Sequence, residues 1–193
     1  MKNVNIMVVG VGGQGTLLTS RIIGKTALNN GYDVKLSEVH GMAQRGGSVV
    51  TFVRIGDKIA EPVVEAGDAD ILVSFETLEA LRYAHFLKKD GILVVNDCKI
   101  APMTVVTGAE KYPENILNSL KKQHKVYSID GGAIAEKLGN GKVLNSVVLG
   151  FAANFFDFPE SAWLDTLKNT VPPKTVDINV KAFTEGLNYG RKL

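Results

Sequence analysis

The sequence predicts an α/β fold: a Rossmann-like, mostly parallel sheet with helices on both faces and a hairpin insertion. Three observations point there. Short apolar runs bounded by glycines or polar turns alternate with stretches of helical period from one end to the other. The first run, "VNIMVV", leads into "GVGGQG" and then into a helical stripe, which is how a βαβ unit opens. And 193 residues suffice for one well-buried sheet but are short for two domains.

The elements follow in order. Residues 4–10 read as a buried strand. Residues 15–30, "GTLLTSRIIGKTALNN", read as a helix with a stripe of Leu17, Leu18, Ile22, Ile23 and Leu28, stopped at Asn30-Gly31. "DVKLSEV", 33–39, is a second strand and completes the βαβ unit. "HGMAQRGG", 40–47, is polar, Gly-rich and without period. "SVVTFVRIG", 48–56, places Val49, Thr51, Val53 and Ile55 on one face of a strand; a Gly-Asp turn and "DKIAEPVV" after it predict a hairpin. "ADILVSF", 69–75, is a buried strand, 76–88 a helix, and "GILVVN", 91–96, a further strand. "MTVVTG", 103–108, reads as extended, and "PENILNSLKKQ", 113–123, as a helix with Pro in its first turn. "KVYSID" is a short strand, and helices fill most of 131–139, 143–156, 159–170 and 177–190. Pro172-Pro173 sets off the last of these. So short a piece cannot form a second domain, so a single domain over 1–193 with a docked C-terminal helix, about 177–193, is expected.

Composition narrows the function. The net charge of +2, from 22 basic and 20 acidic residues, is too balanced to suggest nucleic acid. No apolar run reaches the length of a membrane span, and no secretory signal is read at the N-terminus. The single cysteine, Cys98, excludes an internal disulfide and fits a reducing, cytoplasmic setting. It also excludes an iron–sulfur cluster held by this chain, which needs about four thiolates. The three histidines, His40, His85 and His124, are too far apart for a zinc motif. Cys98 and Trp163 read as packing residues, as does the aromatic run "FAANFFDF", 151–158.

The glycine loop is the sharpest local signal. Gly10, Gly12 and Gly15 fit the dinucleotide pattern, with one glycine for the turn, one for close approach of a pyrophosphate and one for helix–strand packing. The helix that follows aims its free N–H groups and positive dipole end above the loop. Glu38 stands near the position where such folds place an acid for a ribose hydroxyl. The motif alone admits NAD, FAD, or a tight turn with no ligand. The chain offers no convincing acid–base residue for a nicotinamide enzyme, since His85 and His124 read as surface or packing histidines.

"VGVGGQGTLLTSRIIG" followed by "SEVHGMAQRGGSVVTFVRIG" resembles the gamma-type subunits of 2-oxoacid:ferredoxin oxidoreductases. "DILVSFETLEALR", "GILVVND" and "NSVVLGFAAN" extend the resemblance over most of the chain, and the pattern is nearest the arylpyruvate (indolepyruvate) type. The resemblance implies oxidative decarboxylation of an arylpyruvate to an aryl-acetyl-CoA, with electrons passed to ferredoxin. It implies that thiamine diphosphate, Mg and iron–sulfur clusters reside in a large alpha partner subunit, which ferredoxin meets through the complex. This chain would bind none of them and would be inactive alone. Gly12, Gly13, Gln14, Gly15 and Thr16 would form an amide-rich cup on a shared cleft, for the phosphates of coenzyme A or for the partner's backbone. Glu38, Arg45, Gly46 and Gly47 would border that cleft or the interface, Arg45 as a planar fork for an anion. His40 would shuttle a proton there. An ion pair of Glu38 with Arg45 is an equally open reading of those two residues. Produced alone, the chain would self-associate as a homodimer through the partner's surface. Two alternatives stand beside this reading: a self-contained NAD(P)- or flavin-dependent oxidoreductase, and a non-enzymatic scaffold.

Overall fold

The apolar runs assemble into one sheet of six strands in the order β2-β3-β1-β4-β5-β6 among the described residues, 3–41 and 46–193 of this computed structural model. The strands are β1 Val4–Val11, β2 Asp33–His40, β3 Ser48–Gly56, β4 Ala69–Ser74, β5 Leu87–Asn96 and β6 Lys125–Ile129. The helices are α1 Thr16–Asn29, α2 Thr77–Tyr83, α3 Met103–Val106, α4 Ile116–Lys121, α5 Gly131–Lys137, α6 Leu144–Ala153, α7 Glu160–Lys168 and α8 Val176–Gly190. Strands β1, β4, β5 and β6 pair in parallel, and β3 runs antiparallel between β1 and β2. This is the α/β sheet expected, with a mixed rather than purely parallel ladder.

Side-chain alternation divides the core in two. Ile6 and Val8 of β1, Val53 and Ile55 of β3 and Val94 of β5 face α1 and the helices α5 to α8. Met7 and Val9, Val50, and Leu93 and Val95 face the opposite way, onto α2 and α4. Helix α6 is buried along Asn145–Ala153 and crosses α8 where Gly150 and Gly186 face each other. A helix that is apolar on all sides is the kind that lies in a core. Among the described residues, no helix is long and apolar enough to cross a membrane.

The structure corrects several local expectations. The hairpin partner of β3 is β2, paired from Asp33↔Gly56 to His40↔Val49, and residues 57–64 form no strand. Strand β3 thereby lies between β1 and β2, so the first βαβ unit is split. Composition accounts for this: polar Lys35 and Ser37 suit β2 to an edge, whereas β3 has the apolar content of a strand covered on both faces. Residues 103–106 form a single helical turn rather than extended chain, because the Val106 N–H donates to the Pro102 carbonyl and closes it. Propensity of the β-branched run loses to that local bond. Helix α2 is shorter than expected: a 3-10 turn at Ala84–Phe86 follows it, and β5 already begins at Leu87. Pro113 lies before α4 rather than in its first turn, with Asn115 capping at φ 55°.

Candidate functional site

The parallel strands end together, and the two crossovers that leave adjacent strands β1 and β4 go to opposite faces: α1 to one, α2 to the other. A crevice at such a switch point is where open α/β sheets bind ligands. Here a side chain fills it. The Gln14 Oε1 accepts from the Val11 N–H at 2.7 Å, and its Nε2 donates to the Phe75 carbonyl at 3.0 Å. Gly10 makes room for this, since a Cβ there would lie 2.8 Å from the Gln14 Oε1 and 2.9 Å from the Phe75 Cβ. Asn96, at the end of β5, repeats the device: its Nδ2 donates to the same Phe75 carbonyl at 3.1 Å and its Oδ1 accepts from the Gly131 N–H at 2.9 Å. Gln14 is thus a splint across the strand ends, with both ends of its amide engaged inside the protein.

The opening lies to one side, above β3. A cavity of about 410 Å³ is lined by Gly12, Gly13, Gly15, Thr16, Leu17, Glu38, His40 and Val49. The glycine loop forms one wall. Gly13 and Gly15 have φ of 100° and 84°, which an L side chain rarely adopts, and a Cβ on Gly15 would meet the Asn145 side chain at 2.9 Å. Helix α1 starts without a side-chain cap, which leaves its first amides without a capping partner where Gly15, Thr16 and Leu17 line the cavity. The opposite wall comes from β2. Glu38 Oε2 is buried and has no hydrogen-bond partner among the described residues. His40 is exposed, with Nδ1 3.1 Å from the Gly41 carbonyl oxygen. The cavity therefore offers donors on one side and a carboxylate with an imidazole on the other. Glu38 reaches it across the inserted β3, not from a strand beside β1, so the dinucleotide geometry suggested by the motif is not reproduced.

The two glycine-bearing motifs meet. The Gly12 N–H donates to the Gly47 carbonyl at 2.9 Å, so the turn before β3 sits directly on the glycine loop. Gly46, at φ 80°, makes that turn possible. Arg45 lies outside the described residues.

Sequence reading missed two buried carboxylates at the start of α2, one on its N-cap residue and one in its first turn. Glu76 and Glu79 are 1% and 2% exposed. Glu76 accepts from the N–H groups of Glu79 at 2.8 Å and Ile100 at 3.1 Å, and from the Tyr112 hydroxyl. Burial and the Glu76 contact push the Tyr112 phenol up to about 12, so it stays a donor. Glu79 accepts from the Ser48 hydroxyl at 2.5 Å and from Arg82 at 2.7 Å. In the sequence these acids look like the solvated face of a helix. Their one signal is the spacing Glu76-x-x-Glu79 at a helix start, which suits a cap.

Burial raises the Glu79 carboxyl above its ordinary 4.5, outweighing the pull of Ser48 and Arg82. A raised carboxyl contributes stability that is complete below 4.5 and lost as pH rises through the folded-state value. Glu79→Gln lacks that contribution. The stability of the natural chain relative to Glu79→Gln is therefore expected to fall as pH rises from 4.5 through the folded-state value, by at most about 1.4 kcal/mol per pH unit. Urea unfolding of both proteins across that range measures it; a constant difference would remove the burial argument.

The remaining residues singled out in the sequence lie elsewhere. Cys98 is half-buried beyond β5, and burial, with Glu76, Asp130 and Asp97 nearby, raises its thiol, which disfavours the thiolate. Trp163 is 1% exposed and packs edge-on to Phe156 and Phe158. His85 and His124, distant in sequence, line one groove between α2 and α4. Among the described residues, no group of three or more His, Cys, Asp or Glu side chains could hold a metal ion.

Comparison with known proteins adds identity to this geometry. A family model described as pyruvate ferredoxin/flavodoxin oxidoreductase matches residues 5–189. The chain is 44% identical to the indolepyruvate oxidoreductase subunit IorB of Archaeoglobus fulgidus, over 95% of this chain and 94% of that one. It is 40% identical to the protein of the same name from Pyrococcus horikoshii, over 100% and 98%. The crystal structure of a keto/oxoacid ferredoxin oxidoreductase gamma subunit from Geobacter sulfurreducens superimposes with a TM-score of 0.74, at 23% identity, covering 98% of this chain and 99% of that one. A match of this extent is decisive: the chain belongs to the pyruvate ferredoxin/flavodoxin oxidoreductase family.

Proposed function

We propose that the chain is the smaller, non-catalytic subunit of an indolepyruvate:ferredoxin oxidoreductase, which oxidatively decarboxylates arylpyruvates to aryl-acetyl-CoA. The observation that carries this reading is the 44% identity, nearly end to end, to a subunit named for that activity. Thiamine diphosphate with Mg supplies the decarboxylation chemistry and iron–sulfur clusters take the electrons. The residues of this chain do not fit those groups: one cysteine cannot hold a cluster. They belong on this reading to a large alpha subunit, and ferredoxin is met through the complex. The chain itself is one domain whose working end is the glycine loop.

There, the α1 amides above Gly12, Gly13, Gly15 and Thr16 suit the phosphates of coenzyme A, since a helix start favours an anion. Glu38 on the facing wall suits a donor, from the ligand or from the partner's chain. His40 is exposed and close enough to the same cavity to exchange a proton across it. Gly46 and Gly47, in the turn that accepts from the Gly12 N–H, border the cleft on the partner's side on this reading. Gln14 acts from behind, keeping the loop in register with β4.

Anaerobic co-expression with a large thiamine-binding subunit tests the reading. The pair is expected to carry iron and thiamine diphosphate and to reduce a dye only when arylpyruvate and coenzyme A are both present. Neither chain alone should do so. A large subunit that is fully active without this chain would overturn the reading.

A further inference from the structure

We propose that Glu79 is a positioning residue for the glycine loop: through Ser48 it fixes the Gly46–Gly47 turn, and through the Gly47 carbonyl it sets where Gly12 stands. The inference rests on the reading above only in treating this loop as the working end of the subunit.

The connection is short and specified at every step. The Glu79 Oε2 accepts from the Ser48 hydroxyl at 2.5 Å, and the Tyr83 hydroxyl lies 3.2 Å from the same Ser48 oxygen. Ser48 opens β3 and follows the turn directly. Gly47 accepts from the Gly12 N–H at 2.9 Å. Three elements far apart in sequence thus meet at one point: the loop after β1, the turn before β3, and α2. The other Glu79 oxygen is engaged by Arg82, so the carboxylate cannot swing away without breaking a second bond.

The arrangement is more than packing. Gly46 and Gly47 carry no side chain of their own to hold the turn. Gly46 is exposed, and a Cβ there would meet nothing within 4 Å. The β1–β3 register, with Val11 opposite Ser48, brings Gly47 to Gly12 as the last rung of the ladder, and the buried Glu79 carboxylate pins the side chain next to that rung. A carboxylate 2% exposed is costly unless its bonds are made, so the Ser48 contact is not exchanged readily for water.

The alternative acceptor is predictable from atom types. In Glu79→Gln the amide oxygen can keep Arg82 while the NH2 donates to Ser48, whose own proton turns to Tyr83. In Glu79→Ala both bonds are lost. The positioning role therefore requires that Gln restores what Ala removes.

Amide hydrogen exchange on the full chain is the test. Glu79→Ala is expected to lose about tenfold in protection over segments 10–16 and 46–50, with β5 and β6 unchanged, because a hydrogen bond to a charged group is gone. Glu79→Gln should return both segments to within about twofold of the natural chain. Ser48→Ala breaks the same link while leaving Glu79 with Arg82, and should reproduce the Glu79→Ala pattern even if that variant folds poorly. Natural protection of segment 10–16 in both Ala variants would overturn the proposal, as would a failure of Gln to rescue. This readout needs no partner, so it stands or falls separately from the subunit assignment. Binding to the large subunit, measured next, should weaken in Glu79→Ala and recover in Glu79→Gln.

Discussion

Gly186→Ala is expected to destabilise the isolated chain by about 3 kcal/mol, although helix propensity alone would favour alanine by about 1 kcal/mol. The reason is backbone against backbone. A Cβ on Gly186 would lie 1.9 Å from the Val147 carbonyl oxygen, and a Cβ on Gly150 would lie 1.9 Å from that of Phe183. Helices α6 and α8 touch where neither has a side chain, and no rotamer change relieves the overlap. The helices would have to separate, and α6 is packed against the rest of the core on its other sides. For a chain of this size the loss corresponds to a fall in Tm of about 6–12 °C. Thermal unfolding of the natural chain, Gly186→Ala and Gly150→Ala checks it.

A control of opposite sign exists in the same chain. A Cβ on Gly132, in α5, would meet the Asp130 Oδ1 at an ordinary 3.5 Å. Gly132→Ala should be neutral or stabilise by up to about 1 kcal/mol, chiefly by restricting the unfolded chain. Equal effects at 132 and 186 would mean that the two helices are not in close contact. The α8 residues beyond the contact also matter here, since Asn154 on the α6 side donates to the Leu187 carbonyl at 3.2 Å and ties the pair together.

The contrast between these glycines shows what a sequence can and cannot convey. Period and apolar content were enough to place β1, α1, β2, β3, β4, the core of β5 and the last three helices, because burial of one face leaves a local imprint. Neither Gly150 nor Gly186 carries a local mark of being in contact with the other, since they are thirty-six residues apart. The same holds at the site. Gly12, Gly13, Gly15, Thr16, Glu38 and His40 do share one cavity, and the glycine spacing together with the polar stretch after β2 suggested as much. The inserted β3 was not legible. Strand order depends on which strand tolerates an edge, and the Gly-Asp turn at 56–57 invited the wrong partner. Gln14 was placed in the amide-rich cup, and its role as a splint was not legible, because its two partners, Val11 and Phe75, become neighbours only when β1 and β4 pair. Glu76 and Glu79 were missed for the same reason. Ser48, Ile100 and Tyr112 come from segments twenty-four to thirty-six residues away and meet them only in the folded chain.

Glu76→Ala is the substitution at this end of the sheet with the largest expected effect, about 4 kcal/mol of lost stability. Three donors depend on that carboxylate: the N–H groups of Glu79 and Ile100 and the Tyr112 hydroxyl. Removing it leaves them unpaired around a position that is 1% exposed, with Ile100 and Tyr112 partly buried, and each unsatisfied buried donor costs about 1–3 kcal/mol. The loss also spreads. Tyr112 shares its hydroxyl with Thr77 at 2.8 Å, and Thr77 binds the Cys98 carbonyl at 3.1 Å, so the segment between β5 and α4 would loosen from α2. Single removals separate the contributions. Tyr112→Phe takes away one donor and leaves the carboxylate with two, so about 1 kcal/mol is expected. Combining Tyr112→Phe with Glu76→Ala should then cost less than the sum, because the phenol no longer needs the partner it has lost. Urea unfolding of the three variants closes this double-mutant cycle. Additive losses would mean that Tyr112 and Glu76 act independently, and the role of the carboxylate would then rest on the N–H groups of Glu79 and Ile100.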